Sequence, residues 1–277
     1  MSERVAVFSG GGAKGAAHVG AMRALEEHGI RPTRFVGTSM GAVIGACFAS
    51  GLDYDEVLHR ITRVSRRDVA SLSPAMILGP FARSLLRERP FRETLAALVP
   101  ARTFDELTFP LTVTAVDATN GDLELFGDGG RARVGLLDAL YASCALPLYY
   151  PPARIGDREY LDGGLRAVFP LDLALDFEPE LVIGVVVGPS RYNPPASRPG
   201  PGSEGLIAAH RRSLRIMMSV QIEETIRRWR CERPADWILV QPRVGGTATF
   251  AVQKIVQFVE EGYRATVRAL QDREPSA

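Results

Sequence analysis

Two stretches in the first fifty residues follow one pattern: VAVFSGGGAKGAAHVG at 5–20 and RFVGTSMGAVIGACFASG at 34–51. Each reads as a short apolar strand, a glycine-rich corner and a helix that begins at once. A strand that feeds straight into a helix cannot return through a tight hairpin. The next strand comes back parallel after crossing a face of the sheet. That restricts the chain to an α/β class, with a central, mostly parallel sheet flanked by helices.

The whole 277-residue sequence fits this frame as one domain, 1–277, without internal repeats. The first helix runs from Lys14 to His28 and ends at Gly29, and residues 53–99 read as helical with proline breaks at Pro74, Pro80 and Pro90. LTVTAVDATNGDLELFG predicts a hairpin with a type I′ turn at Asn120-Gly121. LVIGVVVG and DWILVQP supply later strands, and the Pro/Gly-rich stretch at 189–205 predicts a mobile loop. Beyond it, Ile207, Leu214, Met218, Ile222 and Trp229 mark one face of a long helix, with arginines opposite. Val252, Ile255, Val259, Tyr263 and Leu270 line a final helix.

A net charge of +1 removes the electrostatic case for a nucleic-acid partner. No apolar run approaches the ~18 residues of a spanning helix, and the N-terminus enters a strand too soon for a signal peptide. A cytoplasmic location is therefore expected. Cys47, Cys144 and Cys231 have neither close pairing nor metal-ligand spacing, so they read as buried thiols.

The chemistry lies at the two corners. GTSMG, 37–41, fits G-x-S-x-G between a strand and a helix, the setting of a nucleophile elbow. Gly37 and Gly41 permit the tight turn that exposes Ser39; a plain glycine-rich turn is the alternative. GGGAKG at 10–15 also satisfies the dinucleotide pattern G-x-G-x-x-G, but the next strand ends in Gly37-Thr38-Ser39, without the acid that would hold a ribose. A P-loop fails because Lys14 precedes Gly15. Parallel neighbours would set the glycine loop beside Ser39, where its N–H groups could bind an oxyanion.

Ser39 needs a base. His18 reads as a helix-packing residue, His28 suits a helix end, and His59 and His210 fall on charged helical surfaces. Asp162 in YLDGG, ending a short strand, is the better candidate. Asp117 precedes the hairpin turn and reads as a backbone cap.

Four stretches together resemble the patatin-like phospholipase family: GGGAKG, GTSMG, ASCALPLYYPP at 142–152 and DGG at 162–164, in the family's order. The resemblance implies a three-layer fold and a serine acyl hydrolase acting on phospholipids or lysophospholipids. Ser39 would be the nucleophile, Asp162 the general base, and Gly10, Gly11 and Gly12 the oxyanion hole. Lys14, Gly37, Gly41, Gly163 and Gly164 would support them, with no metal and no other cofactor. One departure is Val168, where the family often has asparagine to support the aspartate loop. Acyl transfer by the same dyad and a non-catalytic lipid-binding module are the alternatives. Residues 72–86, LSPAMILGPFARSLL, read either as a cap on the core or as a lid touching a membrane surface through Leu72, Met76, Ile77, Leu78, Phe81, Leu85 and Leu86. Oligomeric state is left open.

Overall fold

The computed structural model describes residues 3–74, 84–189, 205–245 and 249–273. Residues 75–83 of the candidate lid and 190–204 of the expected loop lie outside the described residues.

Five strands pair in parallel in the order β8-β7-β1-β2-β3: Trp237–Val240, Leu181–Val185, Arg4–Phe8, Arg34–Thr38 and Leu111–Asp117. The sheet is mostly parallel, as the strand-to-helix corners require. Alternation sends successive side chains to opposite faces. On β1, Ala6 and Phe8 join the core under helices α1 (Ala16–Glu27), α2 (Met40–Ala49) and α6 (Leu136–Cys144). Val5 and Val7 join the core on the other face, with Ile222, Ile226 and Trp229 of α7 (Leu206–Glu232). A fully buried residue such as Phe8 contributes roughly 1.5–3 kcal/mol through apolar burial.

Strand β3 places the site. The antiparallel strand β4 (Leu123–Gly127) occupies one of its edges from Thr112 to Val116. Two other strands must therefore share the opposite edge. β2 pairs there as far as Thr38↔Thr114, and antiparallel β6 (Arg158–Asp162) takes over at Ala115↔Asp162. β2 thus ends where β6 ends, coming from the other direction. β5 (Ala153–Ile155) extends β6 outward.

Several local expectations are corrected. The β3–β4 connection is not a type I′ turn, which needs two residues at positive φ. Only Gly121 is positive (φ 76°), and a five-residue loop, 118–122, replaces the turn. Asp117 Oδ1 accepts from Thr119 N at 2.8 Å, and Asn120 Nδ2 donates to Asp122 at 2.7 Å, bonds that favour the wider loop. Asp117 is indeed a backbone cap.

Pro90 breaks nothing. It lies in the first turn of α5 (Glu88–Leu98), where its missing N–H has no intrahelical partner to lose. α3 (Tyr54–Thr62) and α4 (Arg66–Val69) precede it. The first helix starts as a 3-10 turn, Gly12–Gly15, before α1. Val252 precedes α8 (Ile255–Gln271) in another 3-10 turn. Cys47 and Cys144 are buried, whereas Cys231, near the end of α7, is exposed.

The face expected for α7 is only half right. Ile222 and Trp229 are buried, but Ile207, Ile216, Met217 and Val220 face solvent. Arg211 and Arg215 are not opposite Leu214 and Met218, because all four line one cavity. Residues 211, 215, 218 and 222 recur at helical spacing, so the half-buried Arg215 belongs to the inward stripe, while Arg211 lines the cavity from an exposed position. No helix of the described residues is long and apolar enough to cross a membrane.

α1 and α8 cross at two glycines. A Cβ on Gly262 would stand 1.9 Å from Ala17 O, and one on Gly20 would stand 1.8 Å from Val259 O. Backbone is the obstacle in both cases, so the helices would have to separate. Gly262→Leu is expected to cost on the order of 3 kcal/mol, seen as a lower thermal midpoint. An unchanged midpoint would mean that the crossing is looser than this geometry.

Candidate active site

Ser39 stands at the corner between β2 and α2 with φ 54° and ψ −131°, outside the regions a serine ordinarily occupies. Such a conformation persists only where the surroundings enforce it. Here the corner packs against β1, since a Cβ on Gly41 would lie 2.4 Å from Phe8 O. Gly37 abuts Ala42 across the same corner. Ser39 N donates to Ser143 Oγ at 2.7 Å, fixing the backbone from a third side.

Ser39 Oγ donates to Asp162 Oδ2 at 2.9 Å across 123 residues of sequence. Asp162 Oδ1 accepts from Gly164 N at 2.7 Å, and Asp162 N donates to Ala145 O at 3.1 Å. The stretch 142–152 therefore grips both partners, Ser39 through Ser143 and Asp162 through Ala145. Gly163 lies tight against Thr114. Thr38 Oγ1 meets Thr114 Oγ1 at 2.7 Å and Ala167 O at 2.7 Å, joining β2, β3 and the aspartate loop.

Burial pushes the Asp162 carboxyl up to about 6, against the lowering by Gly164 N–H and Ser39. The same burial, followed by the charge of Asp162, raises the Cys144 thiol well above its ordinary value. Cys144 stays protonated and does not compete as a nucleophile.

The glycine loop is beside Ser39, but its donors are unequal. Gly10 N donates to Val168 O at 2.9 Å and is taken up. Gly11 and Gly12 have no backbone partner for their N–H groups among the described residues. Of the three glycines expected to offer N–H groups, Gly10 thus has its own engaged by Val168. Val168, in the position where asparagine was expected, is buried and serves through its carbonyl. Gln221 of α7 braces the same loop, donating to Leu165 O at 3.1 Å.

His18 is outside the catalytic geometry. Its Nε2 donates to Ser9 O at 3.0 Å and its ring stacks on Phe8 at 4.6 Å. Burial lowers its pKa to about 4, so it stays neutral and pins the start of the glycine loop. His28 Nδ1 caps Ala24 O at 2.7 Å, and His59 is an exposed neighbour of Arg63. His210 is half-buried rather than on an open surface.

The cavity in front of Ser39 is lined by apolar groups including Ile44, Ile61, Phe91, Leu98, Tyr150 and Ile255. Lys14, buried, is in its wall. Leu86 is in the core, with Leu85 packed against it and Leu72 exposed, and Ser73 N donates to Leu85 O at 2.8 Å, so the described ends of the 72–86 stretch are tied to each other. No three His, Cys, Asp or Glu side chains among the described residues gather as a metal ion would require. Sequence reasoning missed Ser143, Thr38, Thr114, Gln221, Arg211 and Arg215. Ser143 and Thr38 carried a signal, by lying within the 142–152 and 37–41 motifs.

Residues 6–175 match the family described as patatin-like phospholipase. The chain belongs to that family. Membership supports a lipid hydrolase in general terms. YqhO of Bacillus subtilis (strain 168), an uncharacterized protein, is 32% identical over 212 residues, covering 68% of this chain and 72% of its own. Mouse omega-hydroxyceramide transacylase is 31% identical over 176 residues, 61% of this chain and 28% of its own length. The chain spans about half the length of the mycobacterial NTE-family relatives it matches, at 51%. Among solved structures, VipD from Legionella pneumophila shares the patatin fold, with a TM-score of 0.54 at 15% identity over 98% of this chain and 67% of its own.

The raised pKa of Asp162 has a consequence for stability. The folded state holds that proton more tightly than the unfolded chain, whose aspartates titrate near ~3.9. Stability from this group is fully present below that value and is lost as pH rises through about 6. Asp162→Asn is expected to raise the thermal midpoint at pH ~8 and to leave it near the wild-type value at pH ~4. Equal shifts at both pH values would mean that the carboxyl titrates normally.

Proposed function

We propose that this patatin-like protein is a serine acyl hydrolase that cleaves phospholipid or lysophospholipid esters with a Ser39–Asp162 dyad. The observation that carries the reading is the 2.9 Å bond from Ser39 Oγ to a buried carboxylate facing an apolar cavity. Ser39 attacks the ester carbonyl while its proton passes to Asp162 Oδ2. The carbonyl oxygen becomes an oxyanion within reach of the Gly11 and Gly12 N–H groups. When the intermediate collapses, Asp162 returns the proton to the leaving alcohol and the acyl group stays on Ser39. Water then attacks the acyl-enzyme, gives a proton to Asp162, and releases the acid as Ser39 recovers its proton.

A base near 6 suits this work better than an ordinary aspartate, because proton transfer is most effective when the catalytic pKa approaches the working pH. Acyl transfer to another alcohol in place of water is a second reading, favoured by the mouse relative whose name is a transacylase. A non-catalytic lipid-binding role is disfavoured by the intact Ser39–Asp162 bond.

Ser39→Ala and Asp162→Asn are each expected to lower p-nitrophenyl ester hydrolysis by about a thousandfold or more, and the double variant to lose little beyond either. Fluorophosphonate should label the wild type and not Ser39→Ala. Near-normal turnover by Asp162→Asn would refute the dyad. In the wild type, kcat/KM should fall as pH drops below about 6, where Asp162 protonates. A flat profile down to pH ~4 would remove Asp162 as the base.

A further inference from the structure

Arg211, exposed, and Arg215 of α7 both line the cavity that holds Ser39, one helical turn apart and beside Leu214 and Met218. Arg215 is half-buried, and its Nη1 is sealed from solvent without a hydrogen-bond partner among the described residues. A guanidinium N–H in that position is costly until something accepts from it. Lys14 brings a third cation to the same cavity. Asp162 is the one carboxylate among the described lining residues, and its two oxygens are occupied by Ser39 and Gly164.

The cations also act on one another. Burial, and then Arg215, pushes the Lys14 ammonium down to about 8; burial, and then Arg211, lowers Arg215. Other arginines of α7 are paired, Arg227 with Glu224 and Arg228 with Asp172. Acidic partners are therefore available to this helix, yet not at the cavity. The reaction at a neutral ester carbonyl requires none of these three charges. They are placed for an anion that the described residues do not supply.

We infer that Arg211 and Arg215 form a phosphate subsite for the alcohol side of the ester, so that the protein selects acyl esters of glycerol phosphates with net anionic head groups over neutral acylglycerols. This deepens the acyl-hydrolase reading above and rests on it. The planar guanidinium fork matches phosphate oxygens in a bidentate manner, and such charge-assisted bonds strengthen in a site lined by apolar side chains. The acyl tail then occupies the wall around Ile44, Phe91 and Leu98, and the ester lies between tail and phosphate, at Ser39.

The test compares kcat/KM for monooleoylglycerol phosphate and monooleoylglycerol in the wild type, Arg211→Gln, Arg215→Gln and Arg230→Gln. Arg230 is exposed near the far end of α7, so its substitution removes the same charge away from the cavity. The wild type should favour the phosphate ester by about tenfold or more, and each cavity variant should cut that ratio by about tenfold. Arg230→Gln should keep the wild-type ratio. A ratio unchanged in both cavity variants, with esters still hydrolysed, overturns the subsite and leaves the dyad standing.

Two further arms separate the outcomes. Binding of monooleoylglycerol phosphate to Ser39→Ala should weaken about tenfold when Arg215→Gln is added, a readout that needs no turnover. If the wild type hydrolyses no ester, the catalytic reading fails, and this binding comparison alone upholds or overturns the subsite. Inorganic phosphate should inhibit the phosphate ester competitively in the wild type and less in Arg215→Gln. A change in monooleoylglycerol turnover by inorganic phosphate through Arg215, with no head-group preference, would indicate a site for the free anion and overturn the lipid assignment.

Discussion

The edge of β3 opposite β4 is the constraint on which the rest of this site depends. Backbone pairing assigns its first half to β2 and its second half to β6, with Thr38 opposite Thr114 and Asp162 opposite Ala115. Two chain segments arriving from opposite directions must then turn away from the sheet at the same place. Ser39 and Asp162 are the residues at those turns. Their contact is a by-product of hydrogen-bond register, which is cheaper to hold accurately than any pairing of two flexible side chains. The Thr38–Thr114 bond and the grip of Ser143 and Ala145 lock the junction, so little freedom remains for Ser39 Oγ to lose.

Around that junction the protein tolerates groups that burial disfavours. Asp162 is shielded from water, which drives its proton affinity upward. His18 is buried nearby and is driven the opposite way, to the neutral form, because desolvation penalises whichever form is charged. Desolvation thus raises the carboxyl and keeps the histidine neutral by one physical effect. At the cavity, Arg215 keeps one N–H without a partner among the described residues.

The family's motifs acquire separate jobs in this geometry. GTSMG forms the strained corner, DGG closes on the second carboxylate oxygen, and 142–152 holds both partners. The glycine loop divides its labour, Gly10 bonding to Val168 while Gly11 and Gly12 keep their N–H groups free among the described residues. Val168 in place of asparagine leaves the loop supported, because its carbonyl and the Gln221 side chain provide the bracing. VipD keeps the fold at 15% identity, which fits a design resting on backbone register more than on particular side chains.

Strand-to-helix corners, the alternation on β1 and the elbow glycines were legible in the sequence because they are local. They depend on residues a few positions apart and on rules of helix and strand geometry. The type I′ turn was misread because Asp117 and Asn120 offer their own bonds to a wider loop, a competition that turn statistics do not resolve. The arginine face of α7 was misread for a related reason. Hydrophobic periodicity sorts charged residues outward, whereas a cavity lets Arg215 lie half-buried on the inward stripe with Arg211 beside it at an exposed position. Sequence by itself determined the α/β class and named Ser39 and Asp162 as candidates. Their meeting across 123 residues, the sealed state of the carboxylate and the Arg215 N–H without a partner among the described residues were decided only by tertiary structure, because register and desolvation arise from segments distant in the chain.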